Sequence, residues 1–274
     1  MSGTLLISAL HFSLTVLLAA VLLAVVFRRS PIPAIRSFFL CLRQERAVKK
    51  RFCAFLALIG LHLLLVVAQK RLSFGGVWDL TSTFSSWEMP GHLALLDLRI
   101  PCAHYFLCCA YFFVFPALPL VVLHVLDFSN HDAILVRFLS AMNLCLAVSL
   151  AFFCLFRVEE VWMTVPDRPL FIRGDFCQRL LNMRSLNYPG NCFPSLHAAL
   201  SVITCFFASR LGFMRLRAVV FPLAACVVLA TLFLSVHWFL DVFAGIGLGI
   251  ACSLLAERLE DRFSRVVDKG GMTC

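Results

Sequence analysis

Apolar residues run almost unbroken through seven windows of the chain, at about 5–27, 52–69, 101–126, 134–156, 196–211, 218–236 and 239–256. The segments between them are richer in charge, Pro and Gly. A helix needs roughly 20 apolar residues to cross a bilayer, so this pattern predicts an all-α, polytopic integral membrane protein with about seven transmembrane helices. The first window has no basic residue before it and ends in Phe27-Arg28-Arg29 without a small-residue cleavage site, so it reads as a retained anchor. Segment 72–100 mixes Ser, Thr and Gly with scattered Trp, Phe and Leu, which predicts an interfacial loop or short helix. Pro116 and Pro119 predict a kink in the third long helix.

Composition excludes the soluble alternatives. Of 274 residues 61% are hydrophobic and only 14% charged, with a mean hydropathy of +0.93, so no separate soluble domain is expected. The net charge of +9 reads as an orientation signal and an attraction to anionic headgroups; no nucleic-acid partner is expected. Loop 28–51 holds eight Lys and Arg residues. Placing it in the cytoplasm brings 210–217 and a basic tail, 257–274, to the same side, which puts the N-terminus outside and the C-terminus inside. Trp78, Trp87, Trp162 and Trp238 then all fall on the outer side, where a headgroup belt is expected.

Thirteen cysteines would suggest a disulfide framework in a secreted domain, but most lie within apolar runs and none forms a C-x-x-C pair. They read as small hydrophobes. Cys177 and Cys192 share one polar loop, so a bridge between them is the one disulfide to consider.

Two histidines begin apolar windows, His197 in Pro194-Ser195-Leu196-His197 and His237 in His237-Trp238-Phe239-Leu240-Asp241. They are 40 positions apart, the length of one helical hairpin out and back, so both imidazoles should return to the same membrane face. Asp241 follows His237 by four residues, a spacing that lets a carboxylate accept the imidazole proton and fix its tautomer. An ionisable pair at a membrane helix start is costly, which favours a functional site over a simple helix lock. His11, His62, His104 and His124 lie on apolar helices and read as hydrogen-bonded packing residues. Gly245-x-x-x-Gly249 reads as a small face for close helix approach.

These residues resemble the type 2 phosphatidic acid phosphatase (PAP2) superfamily of membrane lipid phosphatases and phosphotransferases. That family carries Lys-x6-Arg-Pro, then Pro-Ser-Gly-His, then Ser-Arg-x5-His-x3-Asp. Pro194, Ser195 and His197 fit the second motif with Leu196 in the Gly position, and His237 and Asp241 fit the third. Arg168-Pro169 fits the end of the first, but its Lys position is Val161, and the Ser-Arg of the third falls on Ala230-Thr231. The Pro-Ser-Leu-His form without a preceding Ser-Arg looks closest to the inositol phosphorylceramide synthase-like branch, whose members move phospho-headgroups between lipids.

The resemblance covers roughly 157–256 and implies a catalytic helix bundle there, preceded by the helical region 1–156. It implies a lipid phosphate or phospholipid substrate, a phosphohistidine formed on His237 with Asp241 orienting it, and His197 as the acid for the leaving oxygen. Arg168 and Ser195 would hold the phosphate. Arg157, Arg173, Arg179 and Arg184 are expected to contact headgroups or acidic neighbours. No cofactor is implied, and a metal held by His197, His237 and Asp241 is not expected, since no fourth ligand is evident and the resembled family works without one. A transporter or scaffold with degenerate motifs is the alternative of another class, because two basic positions are missing.

Overall fold

The computed structural model describes residues 2–28, 30–72, 77–97, 101–129, 131–164, 188 and 190–270. In chain order it contains α1 (Ser2–Phe27), α2 (Ile32–Gln44), α3 (Arg46–Leu72), β1 (Trp78–Asp79), α4 (Thr81–Asp97) and α5 (Pro101–Cys109). A π-helical turn (Ala110–Val114) leads into α6 (Phe115–Phe128), followed by α7 (Asp132–Leu155), β2 (Phe156–Arg157) and α8 (Val161–Thr164). The last described helices are α9 (Leu196–Arg210), α10 (Met214–Phe233) and α11 (Phe239–Gly270).

Among the described residues six helical segments are long and apolar enough to cross a membrane, and the protein is a multi-pass integral membrane protein. The expected count of seven is not confirmed, because of α9. Its 15 residues extend only about 22 Å at 1.5 Å per residue, short of a hydrocarbon core of about 30 Å. Where a kink is expected, a π turn stands just ahead of Pro116 near the start of α6, and Pro119 lies inside that helix. A widened turn makes room for the proline ring, which crowds the preceding turn and brings no amide hydrogen to donate. Helix α2 lies within the loop expected at 28–51, and α4 makes much of 72–100 helical. Nor does a helix end mark the tail expected from 257, because α11 continues to Gly270.

Helices α9 and α11 run parallel in van der Waals contact, and glycine permits it. A Cβ on Gly245 would lie 2.4 Å from the Ser195 carbonyl oxygen, and one on Gly249 2.6 Å from that of Ala199. A Cβ on Gly247 would meet nothing within 4 Å among the described residues. Gly245→Ala must push the Ser195 turn away from α11, so we expect a loss of about 1–3 kcal/mol, read as a lowered unfolding midpoint in detergent, with Gly247→Ala unchanged.

Charged groups gather at the end of the bundle where α9 terminates. Arg51 of α3 grips both carboxylate oxygens of Glu260 at 2.6 and 2.7 Å, while Ser140 of α7 donates to the same carboxylate. Arg137 pairs with Asp261 and Arg210 with Glu257. These contacts tie α3, α7 and α9 to the far half of α11. At the opposite end, β1 and β2 pair in parallel, and Gln69 exchanges two hydrogen bonds with Asn191, at 2.9 and 2.7 Å. Both amides are buried, so the reciprocal pair satisfies polar groups that would be costly alone, and it fixes the strand-like segment before α9 to the end of α3.

Two of the other histidines are hydrogen-bonded as expected, His11 with the Phe112 carbonyl at 2.8 Å and His124 with that of Leu120 at 2.7 Å. His62 packs on Phe153, and its Nδ1 is buried without a hydrogen-bond partner among the described residues. The side chain of His104 lies outside the described residues.

Candidate active site

His237 is delivered by a tight turn at the end of α10. Ser235 takes a left-handed backbone (φ 56°), and the amides of Val236 and His237 both donate to the Thr231 carbonyl. His237 therefore precedes α11 by two residues instead of lying on it, and Asp241 sits in the first turn. A carboxylate is favourable there because it faces the positive end of the helix dipole. Its Oδ2 accepts from the Trp238 amide at 2.8 Å, closing that turn.

Helix α9 enters from the other side. Ser195 caps it, its Oγ accepting from the Ala198 amide at 3.3 Å, while its own amide donates to the Asp241 carbonyl at 3.0 Å. Ser195 is fully buried, so the hydroxyl expected at a phosphate is engaged as a helix cap. Two residues on, the His197 ring stacks on Tyr111 of the π turn with centroids 4.4 Å apart and packs against Phe115 of α6 at 4.2 Å. The His197 and His237 rings meet edge to face at 5.6 Å. The hairpin expectation thus holds: the two imidazoles return to one place.

The contact between His237 and Asp241 is long, with Nδ1 3.4 Å from Oδ2. Cys192 shares the same oxygen. Its thiol donates to Asp241 Oδ2 at 2.8 Å and has its sulfur 3.1 Å from His237 Nδ1. Burial, reinforced by the negative charge of Asp241 and Glu160, pushes the Cys192 thiol well above its ordinary pKa, so it stays protonated and acts as a donor. Cys192 is a free thiol, which corrects the expected alternative of a bridge; Cys177 lies outside the described residues.

Around this core, Trp238 is fully buried with its indole N–H donating to the Glu159 carbonyl at 2.8 Å, instead of joining the expected headgroup belt. Trp78 and Trp87 are exposed. Glu88 of α4 reaches across and accepts from the Phe239 and Leu240 amides at 2.6 and 2.8 Å. It is a distant cap for the helix that carries Asp241. Removing it leaves amides at the helix start without their acceptor, so Glu88→Ala should cost about 1–2 kcal/mol and lower the unfolding midpoint, with Glu88→Gln retaining part of the loss.

The two missing basic positions have a physical explanation. Val161 is buried against Phe84, Cys192 and Trp238, and Ala230 and Thr231 are fully enclosed by the helical core. A lysine or arginine at either place would bury an unpaired charge. Arg157 is not free for a phosphate, since it pairs with Glu159 and Asp79. The hydrogen bond to Glu159 is the main reason its pKa is raised. Arg168, Arg173, Arg179 and Arg184 lie outside the described residues.

Two histidines from the ends of different helices, one with a buried carboxylate four residues later, lie at one end of a membrane bundle. Residues 142–265 match the PAP2 superfamily. The PAP2 match runs from within α7 into α11 and contains both histidine segments. No curated protein and no solved structure matches the chain. Sequence reasoning missed Cys192, Glu88 and Tyr111. Cys192, five positions before His197, was legible only as a loop cysteine, and nothing in the pattern around Glu88 or Tyr111 marks either.

Proposed function

We propose that this protein is a lipid phosphatase or phosphotransferase of the PAP2 type, working through a phosphohistidine at the outer membrane face. The observation that carries this reading is the meeting of the His197 and His237 rings beside buried Asp241. With Nδ1 turned toward the carboxylate, His237 presents Nε2 on the opposite edge of its ring as the nucleophile. The phosphorus–oxygen bond of the substrate breaks as the nitrogen–phosphorus bond forms, and His197 donates a proton to the departing oxygen. His197 then takes a proton from the acceptor, water or a lipid hydroxyl, as it attacks the phosphohistidine. Asp241 holds the tautomer and balances the imidazolium charge.

Phosphate charge is met by Arg168 and by the first turn of α9 at Ser195, where a helix dipole favours an anion. The corresponding turn of α11 is occupied by Glu88, which leaves α9 as the better placed of the two. The catalytic region extends over 157–256, and the reaction needs no metal. The basic bias of loop 28–51 and the charged end of α11 support a cytoplasmic position for that end and an outer one for the histidines.

A second reading, transfer of a phospho-headgroup between lipids as in the inositol phosphorylceramide synthase-like branch, is favoured by Leu196 and by the apolar environment at Val161 and Ala230-Thr231. Incubation with a panel of lipid phosphates should release phosphate, and vanadate should abolish that release by mimicking pentacoordinate phosphorus. If a second lipid acquires the headgroup when acceptor lipids are present, transfer is the activity. A transporter or scaffold would give neither product and no response to vanadate.

A further inference from the structure

Cys192 Sγ, His237 Nδ1 and an oxygen of Asp241 form a compact set of donors on three separate parts of the local fold: the segment before α9, the turn after α10 and the first turn of α11. All three residues are buried, and one ligand atom from each lies within 4.8 Å of the others. The contacts within the set are 2.8 Å from sulfur to Oδ2, 3.1 Å from sulfur to Nδ1 and 3.4 Å from Nδ1 to Oδ2. The second oxygen of the carboxylate, Oδ1, is buried with no hydrogen-bond partner among the described residues. An enclosed carboxylate oxygen with no donor is an unfilled demand for positive charge.

We propose that Cys192, His237 and Asp241 form an inhibitory site for a Zn²⁺ ion. A thiolate, an imidazole and a carboxylate are the donor types zinc takes, and their charges neutralise it: one negative from Cys192, one from Asp241. Tetrahedral zinc separates such donors by about 3.3–3.6 Å, given bonds of about 2.0–2.3 Å. The histidine–aspartate edge already has that length, and the sulfur edges lengthen once the thiol proton, which draws Cys192 onto Asp241, has left. Three protein ligands leave a fourth position for water, the arrangement of an open and exchangeable site. Mg²⁺ prefers an octahedron of oxygens and does not suit this set.

The inhibitory consequence rests on the proposed role of His237; the ligand set does not. On binding, the Cys192 thiol loses its proton to solvent, and zinc takes the lone pair of His237 Nδ1. A neutral imidazole has one ring proton, which must then reside on Nε2. The lone pair needed to attack phosphorus is gone.

The purified full-length protein in nanodiscs, stripped with a chelator and then dialysed against Zn²⁺, should retain one more zinc per chain than Cys192→Ser, with Cys226→Ser as the control that behaves as wild type. Co²⁺ in place of zinc should give a thiolate-to-cobalt charge-transfer band, which reports on Cys192 even if its variant folds poorly. Phosphate release should be highest after chelation and fall on adding Zn²⁺ but not Mg²⁺, and Cys192→Ser should shift the inhibitory zinc concentration upward at least tenfold. Absence of the thiolate band, or equal zinc retention in wild type and Cys192→Ser, overturns the site. Loss of activity on chelation with recovery on zinc overturns the inhibitory assignment, and the metal-free phosphohistidine reaction falls with it. Zinc bound with the thiolate band in a protein that releases no phosphate under any condition upholds the site and overturns the proposed function.

Discussion

His237→Ala should form no phosphoenzyme and show no turnover on any substrate, whereas His197→Ala should fail selectively, on substrates whose leaving group needs a proton. The two rings meet at 5.6 Å, and the Nδ1 of His237 lies 3.4 Å from the Asp241 carboxylate, the orienting contact of the proposed nucleophile. His197 stacks on Tyr111 and packs against Phe115, which fixes the plane of its ring. General acid catalysis contributes about 10²–10⁴-fold, so His197→Ala should lose that much with an alkyl phosphate. A nitrophenyl phosphate leaves without protonation and should restore most of the rate to His197→Ala and none to His237→Ala. Equal residual activity of the two variants on both substrates would contradict the division of roles.

Asp241→Asn should lower the rate by about 10²–10⁴-fold while the protein still folds and still binds in the membrane. The asparagine oxygen can accept from the Trp238 amide and from Cys192 as Asp241 does, so the helix start survives. What is lost is the negative charge that, in the proposed mechanism, holds the His237 proton on Nδ1 and stabilises the imidazolium. Kinetics resolve this: kcat should fall with little change in KM, because Asp241 is fully buried and, in the proposed mechanism, acts through His237. A drop in KM-dependent binding alone, with kcat preserved, would make Asp241 a packing residue. A loss of the folded state would make it a structural anchor for α11.

Much of this arrangement was legible in the sequence because it depends on local periodicity. The apolar windows mark the long helices, and the 40-residue interval between His197 and His237 is set by hairpin length alone. Gly245 and Gly249 announce a close approach because only small residues fit one, and they lie directly beneath Ser195 and Ala199. What periodicity does not encode is contact between distant segments. Glu88 reaches α11 across 151 positions, and Cys192 reaches Asp241 across 49, so neither role has a local signature. Trp238 was assigned to the membrane surface by its type, whereas the fold encloses it against Val158 and Val161. Helix α9 is too short to span alone yet is apolar, so hydropathy could not distinguish it from its longer neighbours. The missing basic positions were visible as departures from a pattern, but their cause, enclosure at Val161 and at Ala230-Thr231, is a property of the packed core.

The central claim is covalent, and the most direct test is to trap the intermediate. Wild-type protein quenched during turnover of a radiolabelled lipid phosphate should hold label that is stable to base, is released by acid and maps to the peptide containing His237. His237→Ala should hold none. Label retained at the wild-type level in His237→Ala, or rapid turnover by the wild type with no label trapped at any quench time, would contradict the phosphohistidine account.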